Sequence, residues 1–174
     1  MNTKLKKLFI VFIFFQLTFY NKFVFADTKV KNIDNIWFSF LVELRKQKEF
    51  YLIQLRGHKI LVLLWNPQNA ISQTVLLDIQ RVYSAIKRSK KTIYILSITS
   101  YQKRKKALQI INKLCISYPC FLIKDKDMEL LRIRFTPTIL LFNSTGYCVW
   151  NSTGSKKNLF QQILKKIDEL DGRL

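Results

Sequence analysis

Three cysteines and one histidine are the side chains of this 174-residue sequence best suited to covalent or metal chemistry, so their spacing bounds the reactions open to it. Cys115, Cys120 and Cys148 form no C-x-x-C pair. A thiolate attacks only where something lowers its pKa, most often a helix N-terminus. Cys115 falls at the end of an expected helix, Cys120 in a strand and Cys148 in a hairpin, so none has that help. Cys120 and Cys148 are expected to act as small buried hydrophobes. A Cys115–Cys120 disulfide is open to the chain in an oxidising compartment, and the odd count leaves at least one thiol outside any intrachain pair. His58 sits in a turn between Gly57 and Lys59, and a solvated loop residue is its expected role. One histidine with three scattered cysteines gives no zinc spacing. No acid is placed to orient His58 as the base of a hydroxyl nucleophile. No metal and no cofactor are expected.

The elements that would position any site read as follows. Trp37 to Leu44 and Glu49 to Leu55 are β-prone runs around Arg45-Lys-Gln-Lys48, which suggests an N-terminal β-hairpin. Ile60 to Trp65 is apolar without alternation, the pattern of a central strand covered on both faces. After the loop Asn66-Pro-Gln-Asn69, a helix from about Ser72 carries Val75, Ile79, Val82, Tyr83 and Ile86 at helical spacing. Thr92 to Ile98 is a second buried strand. A helix from about Gln102 to Leu114 sets Leu108, Ile111 and Leu114 on one face. Tyr118 to Ile123 is a short strand, and Asp127 to Arg132 a helical turn. Pro137 donates no hydrogen bond, so it must begin the strand Ile139-Leu-Leu-Phe142. Asn143-Ser-Thr-Gly146 makes a turn, Tyr147 to Trp150 a last strand, and a helix burying Leu159, Phe160, Ile163, Leu164 and Ile167 ends the chain. A hairpin, alternating βαβ units and an antiparallel close predict an α/β mixed central sheet with helices on both faces.

Composition adds a compartment. Lys4, Lys6 and Lys7 precede the apolar run from Leu8 to Tyr20, and Val24-Phe-Ala26 offers the small residue a signal peptidase needs. Residues 1–26 therefore read as a signal peptide cut after Ala26, or as an uncleaved anchor, since a spanning helix needs roughly 20 residues. Residues 27–36 read as a polar lead-in and 37–174 as one domain. The formal net charge is +19, and the 26 leading residues hold four of the lysines and no acid. Such a balance makes an anionic membrane surface a candidate partner. Lys87-Arg-Ser-Lys-Lys91 and Lys103-Arg-Lys-Lys106 lack aromatic interleaving, and no nucleic-acid module is visible, so nucleic acid is not expected as a partner.

Ile133-Arg-Phe-Thr-Pro-Thr138 resembles the G-V-x-G-T-P-T turn of thioredoxin-fold proteins. Leu55-Arg-Gly-His-Lys-Ile-Leu-Val-Leu-Leu-Trp65 resembles their L-x-G-K-x-x-L-V-N-F-W strand, with one extra residue. Ile116-Ser-Tyr-Pro-Cys-Phe-Leu-Ile123 resembles I-x-F-P-V-x-x-D, and Asn143-Ser-Thr-Gly146 stands for D-x-x-G. From Phe38 to Leu170 the order is similar to exported thioredoxin-like proteins of the TlpA and ResA type. The resemblance implies a thioredoxin-like fold, a cis Thr136–Pro137 bond and a dithiol opposite it. Aligned without gaps from Trp65 to Tyr83, however, the two cysteine positions hold Asn69 and Ser72; moving the gap puts them at Asn66 and Asn69. No register supplies a cysteine, so the family's exchange reaction is expected to be missing.

The resemblance further implies a groove for an extended peptide or protein partner in the compartment outside the inner membrane. Trp65, Asn66, Pro67, Gln68, Asn69, Phe135, Thr136 and Pro137 would line it, with Trp65 as an aromatic wall and Thr136 offering its backbone. Two rival expectations stand beside this non-catalytic binding module: a thiol-disulfide oxidoreductase using one unusual cysteine, and a surface-association protein driven by charge.

Overall fold

The structure is a computed structural model and describes residues 33–89, 91–131, 133 and 135–172. The expected targeting segment lies outside the described residues. Among those described, no helix is long and apolar enough to cross a membrane.

Seven strands form one mixed sheet: β1 (Phe40–Glu43), β2 (Glu49–Tyr51), β3 (Lys59–Leu64), β4 (Ile93–Ser100), β5 (Cys120–Ile123), β6 (Thr138–Phe142) and β7 (Cys148–Thr153). Their order across the sheet is β2-β1-β5-β4-β3-β6-β7. The helices are α1 (Ala70–Ser89), α2 (Arg104–Lys113), α3 (Asp125–Leu130) and α4 (Leu159–Asp171). β3 pairs parallel with β4 and antiparallel with β6, so its carbonyls and amides are used on both sides. β5 continues the parallel set beyond β4, and the β1–β2 hairpin closes that edge antiparallel.

Two successive crossovers, β3–α1–β4 and β4–α2–β5, step the same way across the sheet. Right-handed connections therefore put both helices on one face. Strand alternation sends Leu61, Leu63, Trp65, Ile95, Cys120, Leu122, Ile139 and Leu141 to that face, where they pack with Val75, Ile79, Ala107, Ile111, Ile163 and Ile167 in one cluster. The other face buries Ile60, Val62, Leu64, Ile98, Ile123, Leu140 and Phe142. Its cover is thinner: 3₁₀ turns at Ile33–Phe38 and Leu52–Leu55, and the short α3. Trp37 packs edge-on to Phe142 with centroids 5.2 Å apart, and its Nε1 donates to the Gly146 carbonyl.

The structure corrects several expected boundaries. The fold reaches back to Ile33, because Ile36 has an apolar side chain to bury and is fully covered. The two β-prone runs of the hairpin supply only 4 and 3 strand residues, their flanks winding into 3₁₀ turns that cap the thin face. On α2 the buried side chains are Ala107, Ile110 and Ile111, while Leu108 and Leu114 are only half-buried.

Candidate functional site

The site is built where β3 ends. The Trp65 amide makes one more ladder bond, to the Ile98 carbonyl at 3.0 Å, and then the chain leaves the sheet. The Asn66 side chain accepts from the Gln68 amide at 3.1 Å, an Asx turn that bends the backbone toward α1. Asn69 begins the helix. Its Oδ1 accepts from the amides of Ile71 at 2.8 Å and Ser72 at 3.4 Å, which satisfies two donors that every helix start leaves open. The buried Ser72 hydroxyl accepts from the Asn66 amide at 3.2 Å, and Gln73 Nε2 donates to the Pro67 carbonyl at 3.1 Å. The loop thus holds its shape through bonds to the helix it introduces.

Facing this helix start is the segment that leads into β6. The Thr136–Pro137 peptide is cis. Asn69 Nδ2 donates to the Thr136 carbonyl at 3.0 Å, joining two parts of the chain 67 residues apart. Thr138 Oγ1 donates to the Phe135 carbonyl at 2.7 Å, and the Gly154 amide donates to the Pro137 carbonyl at 2.8 Å. Phe135 is 67% exposed and Ile71 50% exposed, so two apolar side chains flank the Asn69–Thr136 bridge in solvent.

Asn66, Gln68, Asn69, Phe135 and Thr136 are therefore gathered at one end of the sheet, with Pro67 and Pro137 buried behind them. Trp65 is not among them. It is 1% exposed and belongs to the core beneath the helices, because it continues the Leu61, Leu63 alternation onto the covered face. The aromatic wall expected of Trp65 is absent; the exposed aromatic ring of the site is Phe135. The Thr136 backbone also differs from the expectation, since its carbonyl already accepts from Asn69. The groove expected from Trp65 to Ser72 also takes in Ile71, which is exposed although it precedes Val75 by four positions, beside the buried Ser72.

No family model matches this sequence, and no curated protein matches it significantly. Solved structures match over most of the described chain. A secreted Mycobacterium tuberculosis disulfide oxidoreductase homologous to E. coli DsbE superposes with a TM-score of 0.67 at 11% identity, over 79% of this chain and 98% of that one. A thioredoxin-family thiol:disulfide interchange protein from Chlorobium tepidum gives 0.64 at 14% identity, over 77% and 94%. StoA from Bacillus subtilis gives 0.58 at 18% identity, over 74% and 95%. This chain has a thioredoxin-like fold.

Within that thioredoxin-like fold, the thiols lie away from the site. Cys120 opens β5 opposite Ser97, two strands across the sheet from β3, and Cys115 follows α2. Cys148 pairs with Phe142 at the far end of β6, roughly 13 Å along the strand from Thr138 at about 3.3 Å per residue. None of the three forms a disulfide, so the Cys115–Cys120 bridge is not made. Burial pushes the Cys120 thiol up to about 11. Cys148 is only half-buried, and its Sγ donates to the Trp150 carbonyl at 3.4 Å, which departs from the small-hydrophobe expectation. His58 stands before β3, about 23 Å from Trp65 along the strand at about 3.3 Å per residue, edge-on to Tyr94 at 5.0 Å.

At the site itself, Asn66, Pro67, Gln68, Asn69, Ser72, Phe135, Thr136 and Pro137 carry no ionisable side chain. An amide and a buried hydroxyl cannot attack a disulfide, which needs a thiolate. What this arrangement offers is apolar surface beside fixed backbone and amide groups.

Proposed function

We propose that this protein is an exported, non-catalytic thioredoxin-fold binding module that holds an extended segment of a partner protein beside Phe135, Thr136 and Ile71. The observation that carries the reading is the Asn69–Thr136 bridge. It keeps the helix start and the Pro137 segment in contact by an amide, at the position where the resemblance expects a thiol. A carbonyl oxygen has two lone pairs, so Thr136 retains acceptor capacity for a guest strand after the bond to Asn69. Affinity would come from main-chain pairing, with Phe135 and Ile71 supplying apolar contact. Export is supported by the basic, apolar and small-residue order of residues 1–26, and by similarity to a secreted oxidoreductase.

Disulfide exchange through a non-standard cysteine is the rival, and Cys115 would have to carry it because it alone is exposed. An insulin-reduction assay separates the two. The purified protein is expected to stay at background; turnover that disappears on Cys115→Ser would establish the rival. Pull-downs from extract of the exported compartment test binding. Phe135→Ser and Thr136→Arg are expected to lose partners that the wild type recovers, and identical recovery would defeat the groove. N-terminal sequencing of the exported form should begin at Asp27.

A further inference from the structure

At the β2-β1-β5 side of the sheet lies a half-open cavity of about 680 Å³, within the range of ligand pockets. Phe50 of β2 and Phe121 of β5 line it, with ring centroids 5.1 Å apart and planes inclined by 30°. The other wall is the β1–β2 turn, with Arg45, Lys46 and Lys48 lining the cavity.

That turn is well braced. The Glu43 amide donates to the Lys48 carbonyl at 2.8 Å, and the Leu44 amide to the Cys120 carbonyl at 2.8 Å. Gln47 Nε2 donates to the Leu44 carbonyl at 2.8 Å, and Arg45 Nη2 donates to the Ile116 carbonyl. Glu43 and Glu49 also line the cavity. The Glu43 carboxylate is already engaged by the Lys46 backbone amide. Among the described residues, neither the Lys46 nor the Lys48 ammonium makes an ion pair. An aromatic floor beneath two unpaired cations on a braced turn suits a ligand with a planar apolar body and a negative charge.

We propose that the cavity between the Arg45–Lys48 turn and the Phe50–Phe121 ring pair is a binding site for a small organic anion with a planar apolar body. It lies on the β2-β1-β5 side of the sheet, away from the β3 and β6 strands that carry the Asn69–Thr136 bridge, and stands independently of the function proposed above. Its ligand-sized volume, half open to solvent, suits a small molecule.

The probe is 1-anilinonaphthalene-8-sulfonate, with uncharged N-phenyl-1-naphthylamine as its counterpart. Each is titrated into the full chain and followed by fluorescence and by amide chemical shifts. The sulfonate is expected to saturate one site, to move resonances of residues 43–54 and 117–121, and to bind more weakly in high salt. Lys46→Glu/Lys48→Glu should weaken it about tenfold or more, by removing two attractions and adding two repulsions. Phe50→Ser should weaken both probes. Circular dichroism establishes that each variant is folded, and Lys46→Ala/Lys48→Ala replaces the charge reversal if that variant is not. Shifts confined to other residues, equal affinity for the uncharged probe, or unchanged binding by the lysine variants would each overturn the proposal.

Discussion

Asn69 has two duties, and they can be separated. Its Oδ1 caps α1 while its Nδ2 bonds Thr136. Asn69→Ala removes both and should cost about 1–2 kcal/mol, the range for losing a good cap. Asn69→Asp keeps the cap acceptor but loses the donor to Thr136. Urea midpoints should therefore rank wild type above Asn69→Asp, and that above Asn69→Ala. Asn69→Cys/Ser72→Cys tests the register itself: a thiol introduced at a helix start should have a depressed pKa and confer insulin reduction. Absence of any gain would mean that the loop does not superpose on a dithiol loop. Trp65→Ala can serve no such purpose, because emptying a fully buried tryptophan site costs roughly 3–5 kcal/mol. The amides at 69 and 66 were legible from the sequence, because Trp65 and the helix periodicity confined the cysteine positions to Asn69 with either Ser72 or Asn66. The burial of Trp65 was not, since a strand apolar on both faces hides which one a given ring enters.

Among the elements, α2 is assembled against its own electrostatics. Lys103, Arg104, Lys105 and Lys106 crowd its first turn, with no acid among them. The positive end of the helix dipole disfavours cations there by about 0.3–1 kcal/mol each at low salt. Lys105→Glu should therefore stabilise the protein by a similar amount in thermal or urea melts, and the gain should shrink as salt is added. The long helices and the apolar strands were readable because burial enforces their periodicity. The 3₁₀ turns at Ile33–Phe38 and Leu52–Leu55 were not, for they are short segments shaped by the sheet face they cap. Ile71 shows the same limit: spacing names a helix face, while exposure depends on whether another element covers that turn.

For the whole molecule, an ion network ties the last helix to the sheet. Lys59 contacts Asp171 at 2.5 Å; Lys91 contacts Asp168, and also Asp171 at 3.6 Å. The hydrogen bond from Lys59 holds the Asp171 carboxyl below the usual range, and the bond to Asp168 raises Lys91. A carboxyl lower in the folded than in the unfolded state adds stability above the unfolded value, about 3.9. That contribution fades as pH falls through the folded value. Solvent reaches these groups, so each pair is worth under about 1 kcal/mol. Asp171→Asn should flatten the acid limb of a stability–pH curve by that small amount, an effect lost in high salt. The charge excess was plain in the sequence. The pairing of two lysines with two of the few acids in this network was not, because Lys59 and Asp171 are 112 positions apart.

The hydrogen bond from Trp37 to Gly146 spans 109 positions. β1, placed between β2 and β5, likewise has no second neighbour until residues 121–123 exist. A two-stranded hairpin alone is marginal in water. During synthesis β1 must therefore wait without its second neighbour while some eighty residues follow it. Its cationic turn, Arg45-Lys-Gln-Lys48, keeps that waiting edge soluble and poorly disposed to pair with another chain. The hairpin that closes this edge of the sheet in space is made well before the strand it joins.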